Sequence, residues 1–161
     1  MRLKESFTYP DTDVESVYAL ITNQKFREEA VATVGGTDVE VAIEPSGEGH
    51  TVTVIQTQPA KVPDFIKKFV GDSVRVKQTE TWNGSDDAGN RSADIRFTVI
   101  GQPVDMLARA VLSGEGDVSF VVEGDLKVNV PFLGRKIEPE IAKIVSASLR
   151  SDVEQGIKQL S

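Results

Sequence analysis

The chain has 161 residues, 39% of them hydrophobic and 27% charged, values that fit one soluble domain with a single sizeable core. A net charge of -7 repels phosphate backbones, and a sequence with no cysteine and one histidine offers no thiolate, disulfide, zinc ribbon or histidine-based metal site. No apolar run approaches the roughly 20 residues of a membrane span, and Met1-Arg2-Leu3-Lys4-Glu5 carries no apolar signal region, so the expectation is a cytoplasmic protein of one domain over residues 1–161, without nucleic-acid partner, stable membrane insertion, metal or cofactor.

Leu3, Phe7 and Tyr9 share one face of an opening strand, which Pro10 is expected to end. Thr12-Asp13-Val14-Glu15 has the spacing of a capping box, and Val14, Val17, Tyr18 and Ile21 then recur at helical intervals. Asn23 caps a second short helix that carries Phe26, Ala30 and Val31 and stops at Gly35-Gly36. From Asp38 the period becomes two. Val39, Val41 and Ile43 alternate with polar residues, a turn through Pro45 to Gly49 follows, and Val52 and Val54 continue the hairpin. Val74, Val76, Gln78, Glu80 and Trp82 share a face of the next strand, and after the polar loop Asn83 to Asn90 come Ala93, Ile95, Phe97 and Val99. Gly101-Gln102-Pro103 turns into Met106, Ala108, Ala110 and Leu112, and Gly114-Glu115-Gly116 into Val118, Phe120, Val122, Gly124, Leu126, Val128 and Val130, making seven strands.

Ile137, Ile141, Ile144, Val145, Leu149, Val153, Ile157 and Leu160 step by three and four and draw one apolar stripe along a final helix about 36 Å long. Seven strands make a sheet roughly 30 Å wide, whereas a helix with its side chains is about 10–12 Å across. The sheet must therefore curl around the helix, or the interior must hold something else. Many inward residues are small, among them Val39, Val41, Val52, Val54, Val76, Ala93, Ala108 and Ala110. The expected result is an apolar chamber of several hundred Å³.

This order of elements, with Val130-Pro131-Phe132-Leu133-Gly134-Arg135-Lys136-Ile137-Glu138 at the last junction, resembles the START-like or Bet v-like helix-grip (SRPBCC) superfamily over nearly the whole chain. More narrowly, it is similar to a family of small actinobacterial proteins in which a similar Pro-x-x-Gly junction, followed by a Glu, introduces the final helix. The resemblance implies an α+β helix-grip fold with a curved seven-stranded antiparallel sheet around a long C-terminal helix. It also implies a hydrophobic ligand of no specified identity, because the superfamily includes lipid carriers, hormone receptors, polyketide cyclases and chaperone cofactors.

Gln78, Glu80 and Trp82 are the leading constellation: an amide, a carboxylate and an indole able to fix the polar end of an apolar guest, with desolvation expected to raise the Glu80 pKa toward general-acid use. The opposing reading has the strand twisting out and Glu80 solvated. Phe97, Val99, Met106, Phe120 and Val122 from the sheet, with Ile141, Val145 and Leu149 from the helix, are expected to line the chamber. Phe65, Ile66 and Phe69 lie in a two-turn helix between strands three and four that reads as a lid, and Lys67 and Lys68 beside them allow contact with an anionic membrane; the plainer reading is a connector packed on the sheet end. His50 reads as a surface turn residue. Asp94, Arg96, Asp105, Arg109, Glu123, Asp125 and Lys127 read as the solvated convex face.

The functional expectation is noncatalytic binding or carriage of a hydrophobic small molecule or lipid. The alternatives are a polyketide cyclase or dehydratase in which Glu80 or Tyr18 moves protons, and a partner-binding module.

Overall fold

The computed structural model describes residues 1–161. In chain order the elements are β1 (Arg2–Asp13), α1 (Val14–Ile21), α2 (Gln24–Thr33), β2 (Thr37–Ser46), β3 (Gly49–Pro59), α3 (Asp64–Val70), β4 (Ser73–Trp82), β5 (Arg91–Val99), β6 (Val104–Ser113), β7 (Glu115–Val128) and α4 (Gly134–Leu160). The seven strands form one antiparallel sheet in the order β1-β7-β6-β5-β4-β3-β2. The α+β helix-grip class read from the sequence is the observed one. No helix is long and apolar enough to cross a membrane.

Local chemistry sets the boundaries. Asp13, not Thr12, caps α1, its carboxylate accepting from the Ser16 amide at 2.8 Å, while Asn23 caps α2 by accepting from the Phe26 amide at 2.9 Å. Pro10 does not end β1. The pairing with β7 skips between Tyr9 and Thr12, so Pro10 and Asp11 form a bulge and the strand resumes to Asp13. The proline thus lands where its missing N–H costs no ladder bond. The last β6–β7 pair is Ser113 with Ser119, so the connection runs from Gly114 to Val118, and its residues Glu115, Gly116 and Val118 pair with β1 instead.

The concave face carries two hydrophobic clusters, one around α1 and the C-terminal half of α4, the other around Ile66 and the first half of α4. Ala108 and Leu149 touch both. On the convex face Arg96 pairs with Asp105, Arg109 with Asp94, and Arg2 with Glu123 and Asp125, all exposed, as the alternation of charge implied.

Two glycines let the sheet close on the helix. At Gly124 any side chain would run into Ala108 and the Leu107 carbonyl of β6, so its bareness permits the tight curvature of β7. At Gly156 an added Cβ would stand 3.0 Å from Tyr9 Cε1 and 3.4 Å from Leu20 Cδ2. The helix-propensity cost of roughly 1 kcal/mol is the condition for seating α4 against β1 and α1. Gly156→Leu should therefore overpack this contact and lower stability by about 1–3 kcal/mol, read as a fall in thermal midpoint with the circular dichroism of the fold retained. An unchanged or higher midpoint would show that the helix is not held this closely.

Candidate functional site

Along the inward face of β3 the residues run Val52, Val54, Gln56, Gln58, and along β4 Val74, Val76, Gln78, Glu80, Trp82. Each strand thus turns polar over a helix: the side chain of Gln58 donates to Gln56 at 3.0 Å, and Glu80 and Trp82 are buried to 4% and 2% exposure. The strand does not twist out at its end, and Glu80 points into the grip.

Glu80 is met there by Arg27, which α2 carries inward beside Phe26 and Ala30. Arg27 Nη1 donates to Glu80 Oε1 at 3.2 Å and Nη2 to Oε2 at 2.5 Å, a two-pronged ion pair. Trp82 Nε1 donates to Oε1 at 2.9 Å and Gln78 Nε2 to Oε2 at 2.7 Å. Four donors therefore occupy the carboxylate. Desolvation pushes the Glu80 pKa up, but the charge and bonds of Arg27, with the Trp82 and Gln78 bonds, outweigh it and hold the carboxyl below its usual range. The expected general acid is instead a locked anion.

Asp152 on α4 lies in the field of the same pair but forms no hydrogen bond with the chain. Desolvation pushes its pKa up to about 6, with the charge of Arg27 opposing and that of Glu80 adding. Tyr9 of β1, 4% exposed, faces the same group, and burial raises its phenol pKa. Its hydroxyl also finds no partner in the chain.

Three cavities follow one another along α4. The first, about 50 Å³, lies beneath α3 and is almost wholly apolar, lined among others by Ile66, Phe69, Val99, Phe97 and Ile141. The second, also about 50 Å³, shares Val76 and Phe97 with the first and adds Val145, Leu149, Ser148, Gln56 and Asp152. The third, about 30 Å³, is the polar end, where Tyr9, Arg27, Gln78, Glu80, Trp82 and Asp152 meet Phe120 and Leu149. The several-hundred-Å³ chamber is not present. Large side chains occupy that space: Tyr9, Phe26, Trp82, Phe97 and Phe120, along with the inward glutamines.

The structure brings most of the sequence-selected residues to this line of cavities, namely Gln78, Glu80, Trp82, Phe97, Val99, Phe120, Ile141, Val145 and Leu149. Met106 and Val122 line none of the three. They are 2% and 1% exposed and packed in the two hydrophobic clusters of the concave face, Met106 on β6 and Val122 on β7. In α3, Ile66 is 1% exposed and Phe69 lines the first cavity, whereas Phe65 faces solvent. Tyr18 sits apart from the cavities. Its hydroxyl bonds His50 Nδ1 and its ring lies 3.7 Å beneath the Arg91 guanidinium, which also clamps Glu15. His50 is thus a bonded, half-buried residue, not a free turn.

Arg27, Asp152, Tyr9, Gln56 and Ser148 were not selected from the sequence. Ile144, Ser148 and Asp152 do recur every fourth residue on the inward stripe of α4, and Gln56 and Gln58 do continue the period of Val52 and Val54. Polar residues in phase with an apolar face were the available signal.

Residues 4–158 match the family model described as "Protein of unknown function (DUF2505)". The chain belongs to this family. No curated protein sequence matches it. Among solved structures, the protein TTHA0849 from Thermus thermophilus superposes with a TM-score of 0.61 at 17% identity, covering 100% of each chain. Human STARD10 gives 0.64 at 6% identity over 98% of this chain and 63% of that one. Norcoclaurine synthase from Thalictrum flavum, in complex with dopamine and hydroxybenzaldehyde, gives 0.59 at 8% identity over 100% and 88%. The DUF2505 chain thus has the fold of the START-like and Bet v-like superfamily.

The raised pKa of Asp152 has a thermodynamic sign. The unfolded chain releases this proton near 3.8 and the folded one near 6, so the contribution to stability is greatest below about pH 4 and declines as pH rises to about 6. Asp152→Asn should accordingly be more stable than the parent at pH 7.5, by about 1–3 kcal/mol, with the difference vanishing below about pH 4 in denaturant titrations. A less stable variant at neutral pH would mean that Asp152 has a favourable partner.

Proposed function

We propose that this DUF2505 protein binds a hydrophobic small molecule between its sheet and α4 and does not transform it. The observation that carries the reading is the gradient along the three cavities, from an apolar one beneath α3 to a polar one at Asp152. A slender amphipathic guest matches such a line, apolar body toward α3 and polar end at the inner cluster. The helix-grip fold supports the reading, since norcoclaurine synthase, with a similar fold, is seen holding two small aromatic molecules. A chain without cysteine needs no oxidising compartment, which supports placing this activity in the cytoplasm.

Volumes near 50 Å³ admit a few water-sized groups, so a guest must part the walls. We assign that movement to α3. The helix has seven residues and no side-chain cap, plugs the first cavity with Ile66, and rises from a loop whose base is closed by the bond from the Ala60 amide to the Asp72 carbonyl at 2.9 Å. Phe65 and Phe69, 40% and 51% exposed, give a guest apolar surface at the entrance.

The two residues named for proton transfer do not favour the cyclase-like alternative. Glu80 is held ionised by four donors, and Tyr18 lies with His50 and Arg91 outside the cavities.

Val76 lines both the first and second cavities, so Val76→Phe should divide the line and reduce uptake of a hydrophobic probe at least about tenfold, measured by native mass spectrometry against a panel of slender amphiphiles. Equal uptake by a folded variant would place the guest elsewhere or nowhere.

A further inference from the structure

The inner cavity has an unequal charge balance. The guanidinium of Arg27 and the carboxylate of Glu80 neutralise each other through two parallel hydrogen bonds, which leaves the half-buried Asp152 carboxylate as the charge lining this cavity that no side chain pairs with. Tyr9, only 4% exposed, lines the same cavity with a hydroxyl that bonds nothing in the chain. Two polar groups thus face one space of about 30 Å³ without partners in the chain, their polar atoms still within reach of solvent, amid the aromatic rings of Trp82 and Phe120.

Resting on the interior-binding reading above, we infer that the guest carries a primary ammonium group, which Asp152 receives as counter-ion and Tyr9 as a hydrogen-bond acceptor. An ammonium has three donors and no acceptor, which suits an anionic carboxylate and a phenol oxygen. Aromatic surroundings favour a cation, and a carboxylate-headed guest would add a second uncompensated negative charge in low dielectric. The small volume admits about two water-sized groups, enough for a primary ammonium and too little for a trimethylated one. Fatty acids are therefore the wrong class and slender primary amines the right one.

The test compares octylamine, 1-octanol and octanoate at pH 7.5 by isothermal titration calorimetry and by the fluorescence of Trp82, the single tryptophan, which lines the cavity. Octylamine should bind at least about tenfold tighter than octanol, with octanoate weakest. Asp152→Asn should erase that preference. The groups facing Asp152 are Arg27 from α2, Glu80 from β4 and Tyr9 from β1. Because Arg27 and Glu80 keep their charge over this range, octylamine affinity should fall about tenfold between pH 7.5 and 5 in the parent and stay level in Asp152→Asn. Octanoate binding as tightly as octylamine, or an amine preference that survives Asp152→Asn, overturns this inference and leaves interior binding standing. No binding of any of the three overturns both.

Discussion

Arg27 reaches from α2 across the groove to Glu80 on β4, and the chemistry of the interior follows from that contact. Removing either partner of such a pair strands a charge in low dielectric at a cost of about 3–5 kcal/mol, although a well-packed apolar replacement of both is often neutral. The pair is thus better understood as a positional device than as a source of stability. It ties a helix to the concave sheet at one register, consumes the carboxylate that would otherwise be the obvious chemical group, and leaves the half-buried Asp152 as the one without a side-chain partner.

The curvature of the sheet has a second consequence. The bulge at Pro10, bare glycines at Gly124 and Gly156, and inward aromatics bring sheet and helix so close that the space between them divides into three small cavities. A protein of this shape is closed at rest. The proposed binding would cost displacement of packed atoms, and it assigns that movement to α3, whose one buried residue is Ile66. The proposed binding would separate entry from recognition in space, with apolar surface at one end of α4 and charged groups toward the other.

The architecture was legible in the sequence because period-two and period-3.6 patterns report directly which face is buried, and the strands and long α4 carry those patterns apart from the bulge in β1. Glu80 was legible for the same reason, being in phase with Val74 and Val76. Its electrostatic state was not, because that depends on Arg27, 53 residues away in sequence and brought near only by the docking of α2. The size of the chamber was misjudged on similar grounds. Counting small residues on strands ignores how far the sheet coils, and coiling is set by a bulge and two close approaches that no local pattern reveals. Met106 and Val122 were placed on the correct face, yet close packing in the two hydrophobic clusters leaves no open space at either.

The two interior carboxyls depart from ordinary values in opposite directions, and carbon-detected magnetic resonance of the side-chain carboxyls during a pH titration resolves them. Asp152 should titrate near 6, while Glu80 should remain ionised below the range of an ordinary glutamate. Ordinary values for both, or a Glu80 that takes up its proton before Asp152 as pH falls, would contradict the closed pair and the uncompensated acid beside it.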